Sequence, residues 1–419
     1  MAKEQNLLLV TEHYPCGVQE SYLETEIEYL TKYYNVHIIT TDTDRVMTRT
    51  LPKDVTFSRP GGKTSAIKKL LYRGLCLLSE GYKEEKYQAE LRGVWNKEYQ
   101  SKLLDALVDS RIMFEYVRGL DFFEEEKPLT IYSANLNNYV YGLCSLKHFS
   151  DNLRVVARCH NANMYDPITH QRRDTLNYII NQSIDDIIFE SRHCKDRYIA
   201  DFTTPDCDIG KFRISPISVK GGEILEKIPL EEYYIRIVSC SPIEEDKRLK
   251  LLIDALSNVN FGCIEWDHIG SGSGKNELME YAKEKLGSKE GVRYKFFGKL
   301  SHEEIYNFYR DTYVDAFISV SASESVPTAM MEAMANGIFV VATDVDGVGD
   351  VVNKKNGILM PADITAEKLT TVLENLCRID KESILKKQKS AFSYWREYLN
   401  ADVICDIFAK SIAPKPFES

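Results

Sequence analysis

The sequence predicts an α/β protein of two doubly wound parallel-sheet domains, and three observations carry that prediction. Short apolar runs alternate with amphipathic helical stretches through about the first 215 residues. The same rhythm restarts near residue 235. The segment between them reads as a linker. Alternation of this kind is the sign of parallel strands wrapped by helices on both faces. The length of 419 residues agrees, since a compact domain usually holds about 150.

In order, NLLLV (6–10), VHIIT (36–40), LTIY (129–132), LRVVARC (153–159), DIIFE (186–190) and FRIS (212–215) read as buried strands. Tyr22–Tyr34, Tyr139–Phe149 and Arg192–Asp201 read as helices between them. Pro216–Glu232 carries prolines, a Gly-Gly pair and alternating charge, the composition of a linker. The second set of strands is IRIVSC (235–240), CIEWDHIG (263–270), VRYKFFG (292–298), VDAFISV (314–320) and IFVVAT (338–343). Expected domains are therefore 1–220 and 233–390, with 391–419 a C-terminal helix packing back on the first. In such folds a ligand binds at the carboxyl ends of the strands, and the cleft between two such domains is the expected site.

Residues 62–123 break the rhythm, being long, helical and rich in aromatics and charge. Ile67, Leu70, Leu71, Leu75 and Leu78 recur there at helical spacing, with Lys68, Lys69 and Arg73 on the other side. That pattern fits an ordinary helix packed on its own domain. It also fits, as the less common case, a basic amphipathic helix on an anionic membrane.

A net charge of −10 excludes a protein built to coat nucleic acid. Most of the excess is C-terminal: residues 1–220 hold 29 Lys+Arg against 31 Asp+Glu. Ten cysteines without a C-x-x-C pair point to neither a zinc ribbon nor a disulfide framework. The N-terminal run lacks the pattern of a signal peptide, and no apolar stretch approaches the roughly 20 residues of a membrane span. A cytoplasmic protein is expected.

The most informative stretch is SASESVPTAMMEAMANG (321–337). Pro327 helps to start a helix, with Glu324 in the loop before it and Glu332 two turns in. At about 1.5 Å rise per residue, these two carboxylates lie at most about 12 Å apart along the axis. That is the scale of a sugar joined to a ribose through a diphosphate. The helix start between them exposes backbone N–H groups and the positive end of a dipole, a seat for the diphosphate. A capped helix with a solvated Glu332 would have the same spacing, but AMMEAMA makes the surroundings apolar.

This Glu-x7-Glu in S-E-S-V-P-T-A-M-M-E-A-M-A-N-G, followed by VVATDVDGVGDVV and NGILM, resembles the donor-site signature of retaining glycosyltransferases of family 4. Those enzymes have the GT-B fold, two Rossmann-like domains facing each other across a cleft. RIVSCSPIEEDKRLKLLIDAL (236–256), WDHIGSGSGKNEL (266–278) and YKFFGKLSHEEI (294–305) extend the resemblance. TEHYPCGVQESYLETEIEYL (11–30) and VARCHNANMYD (156–166) resemble a subset of bacterial enzymes that build surface polysaccharides.

The resemblance implies roles. Glu324 would bind donor-sugar hydroxyls, Glu332 the ribose, and Lys247 the diphosphate as bond cleavage leaves charge there. Arg248 would share that task, while Val326, Pro327 and Thr328 would supply the helix start. His160 would stand near the reacting sugar, Gly17 would approach the transferred group where a side chain would collide, and Glu20 would bind the acceptor. By position alone, a histidine at a strand end such as His160 is more often just a hydrogen-bonded loop residue. The chain departs from the family in three places. Pro242 stands where an arginine is common, which implies a weaker diphosphate clamp or one supplied elsewhere, by Arg248 or Arg158. Asp346 replaces the first of two glycines, and Asp350 stands where glutamate is frequent.

Other strings carry less. GSGSG (270–274) before Lys275 has neither the spacing nor the Ser/Thr of a phosphate loop. No G-x-G-x-x-G opens the first strand, and there is no G-x-S-x-G elbow. D-x-D occurs at Asp42/Asp44 and Asp344/Asp346, a metal-binding motif of a different glycosyltransferase architecture. The expected protein is thus a hexosyltransferase-type enzyme using a nucleotide diphosphate sugar and a glycan or lipid-linked acceptor, with no metal or other cofactor. Peripheral contact with the inner face of the plasma membrane goes with that. The rival readings are a nucleotide-sugar epimerase on the same architecture and a non-catalytic glycan-binding relative.

Overall fold

The computed structural model describes residues 3–17, 19–42, 46–60, 64–121, 127–165, 172–173, 176–222, 231–324 and 327–414. The chain divides into two compact units, 1–216 with 405–419 and 217–404.

The first unit is built on a seven-stranded parallel sheet: β1 (Gln5–Thr11), β2 (Tyr34–Thr40), β3 (Thr56–Ser58), β4 (Leu129–Ser133), β5 (Leu153–Cys159), β6 (Asp186–Phe189) and β7 (Phe212–Ile214). Its order is β3-β2-β1-β4-β5-β6-β7. β1 is buried along its length because it pairs with β2 on one side and β4 on the other. The chain therefore runs outward from β1, returns, and runs outward again from β4. The loops after these two strands diverge there, which is where doubly wound sheets hold ligands.

The second unit repeats the plan with β8 (Tyr234–Cys240), β9 (Cys263–Ile269), β10 (Val292–Gly298), β11 (Ala316–Ser319), β12 (Phe339–Thr343) and β13 (Gly357–Met360). The order β10-β9-β8-β11-β12-β13 puts its switch point between β8 and β11. Its core packs Trp266, Phe317 and Phe339 from the sheet against Met330, Met331 and Met334 from the helix Thr328–Ala335.

Each unit is thus the Rossmann-like parallel α/β unit that the sequence predicts. β3 and β13 were not anticipated as strands. β3 has three residues and a largely exposed face, so it lacks a buried apolar run.

The segment 62–123 forms the helices Ala66–Cys76, Glu80–Leu91 and Lys97–Arg118. Ser65, Ser79 and Asn96 cap them by accepting the amides of Lys68, Tyr82 and Tyr99. The third helix buries Leu103, Leu107, Met113 and Val117 in the core of the first unit. The first presents its basic side to that third helix: Lys68 pairs with Glu115 at 3.3 Å and Arg73 with Asp105. Its aliphatic row faces outward, the reverse of an ordinary packed helix.

The expected boundaries also shift. The helix Lys381–Tyr398 stays with the second unit, where Trp395 is buried and donates to the Val219 carbonyl at 3.2 Å. The helix Ala401–Ser411 joins the first unit from Cys405 onward, where Tyr34 donates to the Ala409 carbonyl at 2.7 Å. The last segment is therefore shared between the units rather than being one returning helix. No helix among the described residues is long and apolar enough to cross a membrane.

Candidate active site

In the second unit, the carboxyl ends of β8 and β11 open into a cavity of about 330 Å³. Cys240, Ser241, Pro242, Lys247, Ser321, Glu324, Pro327 and Thr328 line it. Lys247 ends a short 3-10 turn, Glu245–Lys247. Its Nζ lies 3.2 Å from both Glu324 Oε2 and Asp246 Oδ2, and 3.4 Å from the Ser323 carbonyl.

Burial works to lower the Lys247 pKa, but the carboxylates of Glu324 and Asp246 outweigh it and hold the ammonium above the ordinary lysine value. For Glu324 burial is the largest influence and lifts the carboxyl above its usual range, with Lys247 acting in opposition. The result is a fixed cation beside a partly desolvated carboxylate. The helix Thr328–Ala335 begins next to them, and its geometry leaves the amides of Thr328 and Ala329 without an intrahelical carbonyl. Such a place attracts an anionic group and offers hydroxyl acceptors beside it.

The backbone before Glu324 is held by Asp346. Its Oδ2 accepts the Glu324 amide at 2.9 Å and the Ser323 hydroxyl at 2.6 Å. Asp346 itself has φ 44, a left-handed conformation that aspartate tolerates better than most residues. Asp346 thus takes a conformation that glycine favours and adds a support for the loop. No spacing rule pointed to it.

Arg248 also has φ 46, and its guanidinium donates to three carbonyls: Val320 at 2.6 Å, Ala362 at 2.8 Å and Ser321 at 3.0 Å. That geometry ties down the end of β11 rather than reaching for a diphosphate.

Glu332 is buried and its Oε1 lies 3.0 Å from Nδ1 of His302, a mostly exposed side chain on the helix His302–Asp311. His302 is a neighbour that no motif or spacing singles out. Val326 lies outside the described residues.

The GSG turn after β9 has a packing reason for its glycine. A Cβ on Gly270, at φ +147, would lie 1.9 Å from the Ser241 carbonyl oxygen.

In the first unit, Gly17 follows β1 with φ 67, which favours glycine. Glu20, at φ 54, folds its carboxylate back over the same loop. Oε2 accepts the amides of His13 and Tyr14, both at 2.7 Å. Oε1 accepts the Glu12 amide at 3.1 Å and Asn135 Nδ2 at 2.6 Å.

These four donors fill the acceptor sites of a carboxylate, so Glu20 locks the loop instead of offering itself to an acceptor sugar. Glu20→Gln should therefore destabilise the first unit by about 1–3 kcal/mol, because an amide NH₂ would face backbone donors. Thermal unfolding and hydrogen exchange across residues 12–17 measure this. An acceptor-binding role would instead raise the acceptor KM and leave stability unchanged.

His160 follows β5. Its Nδ1 lies 2.6 Å from Glu190 Oε2, and its Nε2 lies 3.2 Å from both the Tyr22 hydroxyl and the Ala134 carbonyl. Glu190 is buried at the end of the DIIFE run and fixes the imidazole from behind, an orienting partner that an acid closing an apolar strand could have signalled.

Arg158 lies deep in this unit. It bonds Glu26 at 2.5 Å, the Tyr132 hydroxyl at 2.9 Å and the Ser215 carbonyl at 2.8 Å. A guanidinium enclosed in this way cannot stand in for the missing family arginine.

Asp42 accepts from His13 Nδ1 at 3.1 Å, and Asp44 lies outside the described residues. Among the described residues, no group of three potential ligands is arranged to hold a metal.

Residues 222–390 match the family model described as glycosyl transferases group 1. Among curated proteins, sequence comparison finds no match.

Among solved structures, the chain is similar to the apo form of the lipopolysaccharide outer core galactosyltransferase WaaB. That match has a TM-score of 0.65 at 14% identity and covers 95% of this chain and 99% of the other. It is likewise similar to Anabaena Alr3699/HepE in complex with UDP, with a TM-score of 0.64 at 13% identity, covering 97% and 99%. Sucrose-phosphate synthase from Thermosynechococcus elongatus matches with a TM-score of 0.62 at 15% identity, covering 96% of each chain.

At these identities the structural likeness speaks to the fold, and the sequence match speaks to the second unit. Residues 222–390 match the group 1 glycosyltransferase domain, and the chain has the fold of GT-B glycosyltransferase structures.

Proposed function

We propose that the protein is a retaining, hexosyltransferase-type enzyme of family 4 that moves a sugar from a nucleotide diphosphate donor to a glycan or lipid-linked acceptor. The product would be a surface polysaccharide such as capsule, O-antigen or exopolysaccharide. The observation that carries this reading is the Lys247–Glu324 pair at 3.2 Å beside the start of the helix Thr328–Ala335.

Lys247 and the helix amides receive the diphosphate, and Glu324 takes the donor-sugar hydroxyls. Glu332 takes the ribose once His302 gives way. The solved structures of Alr3699/HepE with UDP and with UDP-glucose support a nucleotide-sugar donor. On retention, the departing diphosphate oxygen takes the acceptor's proton, so the protein supplies positioning and charge stabilisation.

A lipid-linked acceptor places the enzyme in the cytoplasm, in peripheral contact with the inner face of the plasma membrane. The site uses no metal in this reading, since fixed protein charges neutralise the diphosphate and the Asp346 carboxylate already holds the Glu324 loop.

The test is a panel of nucleotide sugars, with release of nucleoside diphosphate followed with and without acceptor, and the product anomer assigned by NMR. Acceptor-dependent release with retained configuration, persisting in excess EDTA, is expected. Release of free nucleotide with an altered sugar and no acceptor would overturn transfer in favour of epimerisation. Loss of activity in EDTA, restored by Mn²⁺ or Mg²⁺, would overturn the metal-free mechanism.

A further inference from the structure

The helix Ala66–Cys76 is docked through its polar side. Its buried side chains are Tyr72 and Cys76. The Tyr72 hydroxyl bonds Glu115, Lys68 pairs with the same carboxylate, and Arg73 reaches Asp105 and Ser101. This arrangement turns the opposite side to the outside. Ile67 is 83% exposed, Leu70 72% and Leu78 76%, with Leu71 and Leu75 also more than half exposed. At 100° per residue these five fall within an arc of about 140°, and Lys68 and Arg73 border it on its two margins.

An aliphatic row of this size at the surface of a folded unit needs an occupant. Two features of the helix choose among the candidates. Residues 64–79 contain Lys68, Lys69 and Arg73 and no Asp or Glu, in a chain whose net charge is −10. Lys68 and Arg73 are paired with Glu115 and Asp105 on the helix Lys97–Arg118, and what they add toward an anionic surface is their partial exposure at the margins of the row. The row itself is entirely Ile and Leu on a convex helix, whereas the centres of protein interfaces favour aromatic residues, Met and Arg. Aliphatic side chains on one face with basic residues at its margins are what a helix lying in the plane of a bilayer presents.

We propose that the helix Ala66–Cys76 and the turn after it insert the Ile67, Leu70, Leu71, Leu75 and Leu78 side chains into the headgroup boundary of an anionic lipid bilayer. The aliphatic residues supply the insertion. The lysines and arginine supply the preference for anionic lipid, at a smaller contribution because Lys68 and Arg73 already have carboxylate partners. This deepens the membrane-contact part of the functional reading. It is measured without donor or acceptor, so that vesicle binding and sugar transfer can fail separately.

The experiment is sedimentation of the full chain with vesicles of phosphatidylcholine containing about a third phosphatidylglycerol. The wild type should bind, and Leu70→Ser/Leu71→Ser/Leu75→Ser should lose tenfold or more of its partitioning. Because these positions are exposed, its thermal unfolding should be unchanged, as should transfer to a soluble acceptor. Lys68→Ser/Lys69→Ser/Arg73→Ser should lose less, and only on vesicles containing the anionic lipid. Hydrogen exchange across residues 66–78 should slow when vesicles are added to the wild type. Equal binding by the leucine variant, or no binding by the wild type, would overturn the proposal. So would a wild-type dimer that becomes monomeric in the leucine variant, since the occupant would then be a second copy.

Discussion

Glu324→Gln or Lys247→Ala should lower turnover about a hundredfold or more while the protein stays folded, the scale on which a lost charge-stabilising contact acts in a closed site. The two side chains face one cavity, and each is the other's partner at 3.2 Å. Neither variant should unfold easily. Lys247 retains Asp246 at 3.2 Å when Glu324 is replaced.

The linkage runs the same way. Burial, opposed by Lys247, raises the Glu324 carboxyl above its ordinary range, so the stability tied to this group is present below the unfolded pKa and is lost as pH rises through the folded one. Near neutral pH the ionised side chain is therefore a cost to folding, and a neutral Gln removes it. Glu324→Gln should melt no lower than the wild type.

The same shift sets the pH profile. If Glu324 acts ionised, kcat/KM for the donor falls on the acid side, at a pH above the usual carboxylate range, and the Gln variant lacks that limb. A soluble variant with near-normal turnover, or an acid limb that survives in Glu324→Gln, would remove the residue from the site.

How much of this was legible depends on the range over which each feature is decided. β5 was readable because LRVVARC (153–159) is an apolar run flanked by polar turns, and its bounds coincide with the strand. The Glu324-to-Glu332 stretch was readable because a proline, two carboxylates and an apolar helix lie within a dozen residues. The bonding of Glu20 is not legible in the sequence because its partners are backbone amides of residues 12–14 and the side chain of Asn135. Loop backbones have no periodicity to reveal that. Periodicity also identified the aliphatic row of the helix Ala66–Cys76 but not its direction. Direction was settled by Asp105 and Glu115, thirty to fifty residues further on, which take the basic side. Amphipathicity shows that a helix has two sides; what packs against it decides which one faces the domain.

Arg158 is the sharpest case of the same limit, and its replacement should have the largest effect on stability. From the sequence it was a cation at the end of an apolar strand, available to replace a missing phosphate ligand. In the fold it is buried to 2% exposure, and Glu26, equally enclosed, lies 132 positions away in sequence. Burial alone would pull the guanidinium toward neutrality, but the Glu26 charge outweighs it and holds Arg158 well above even the ordinary arginine value. Tyr132 bonds both partners, and the guanidinium lies 4.8 Å from the Phe408 ring of the helix Ala401–Ser411. The pair therefore joins β5, β4, the helix Tyr22–Tyr33 and the C-terminal helix at one point.

Breaking a buried pair from one side leaves the other charge uncompensated, which costs about 3–5 kcal/mol, whereas exchanging both partners for apolar groups of similar volume is often nearly neutral. Arg158→Met should accordingly destabilise the first unit by about that amount, and Arg158→Met/Glu26→Leu should recover most of it. Peptide-resolved hydrogen exchange in denaturant separates this unit from residues 217–404, whose unfolding should be unaffected. If Arg158 were instead a diphosphate ligand, the single variant would keep its stability and lose donor affinity, and the double variant would be no better than the single.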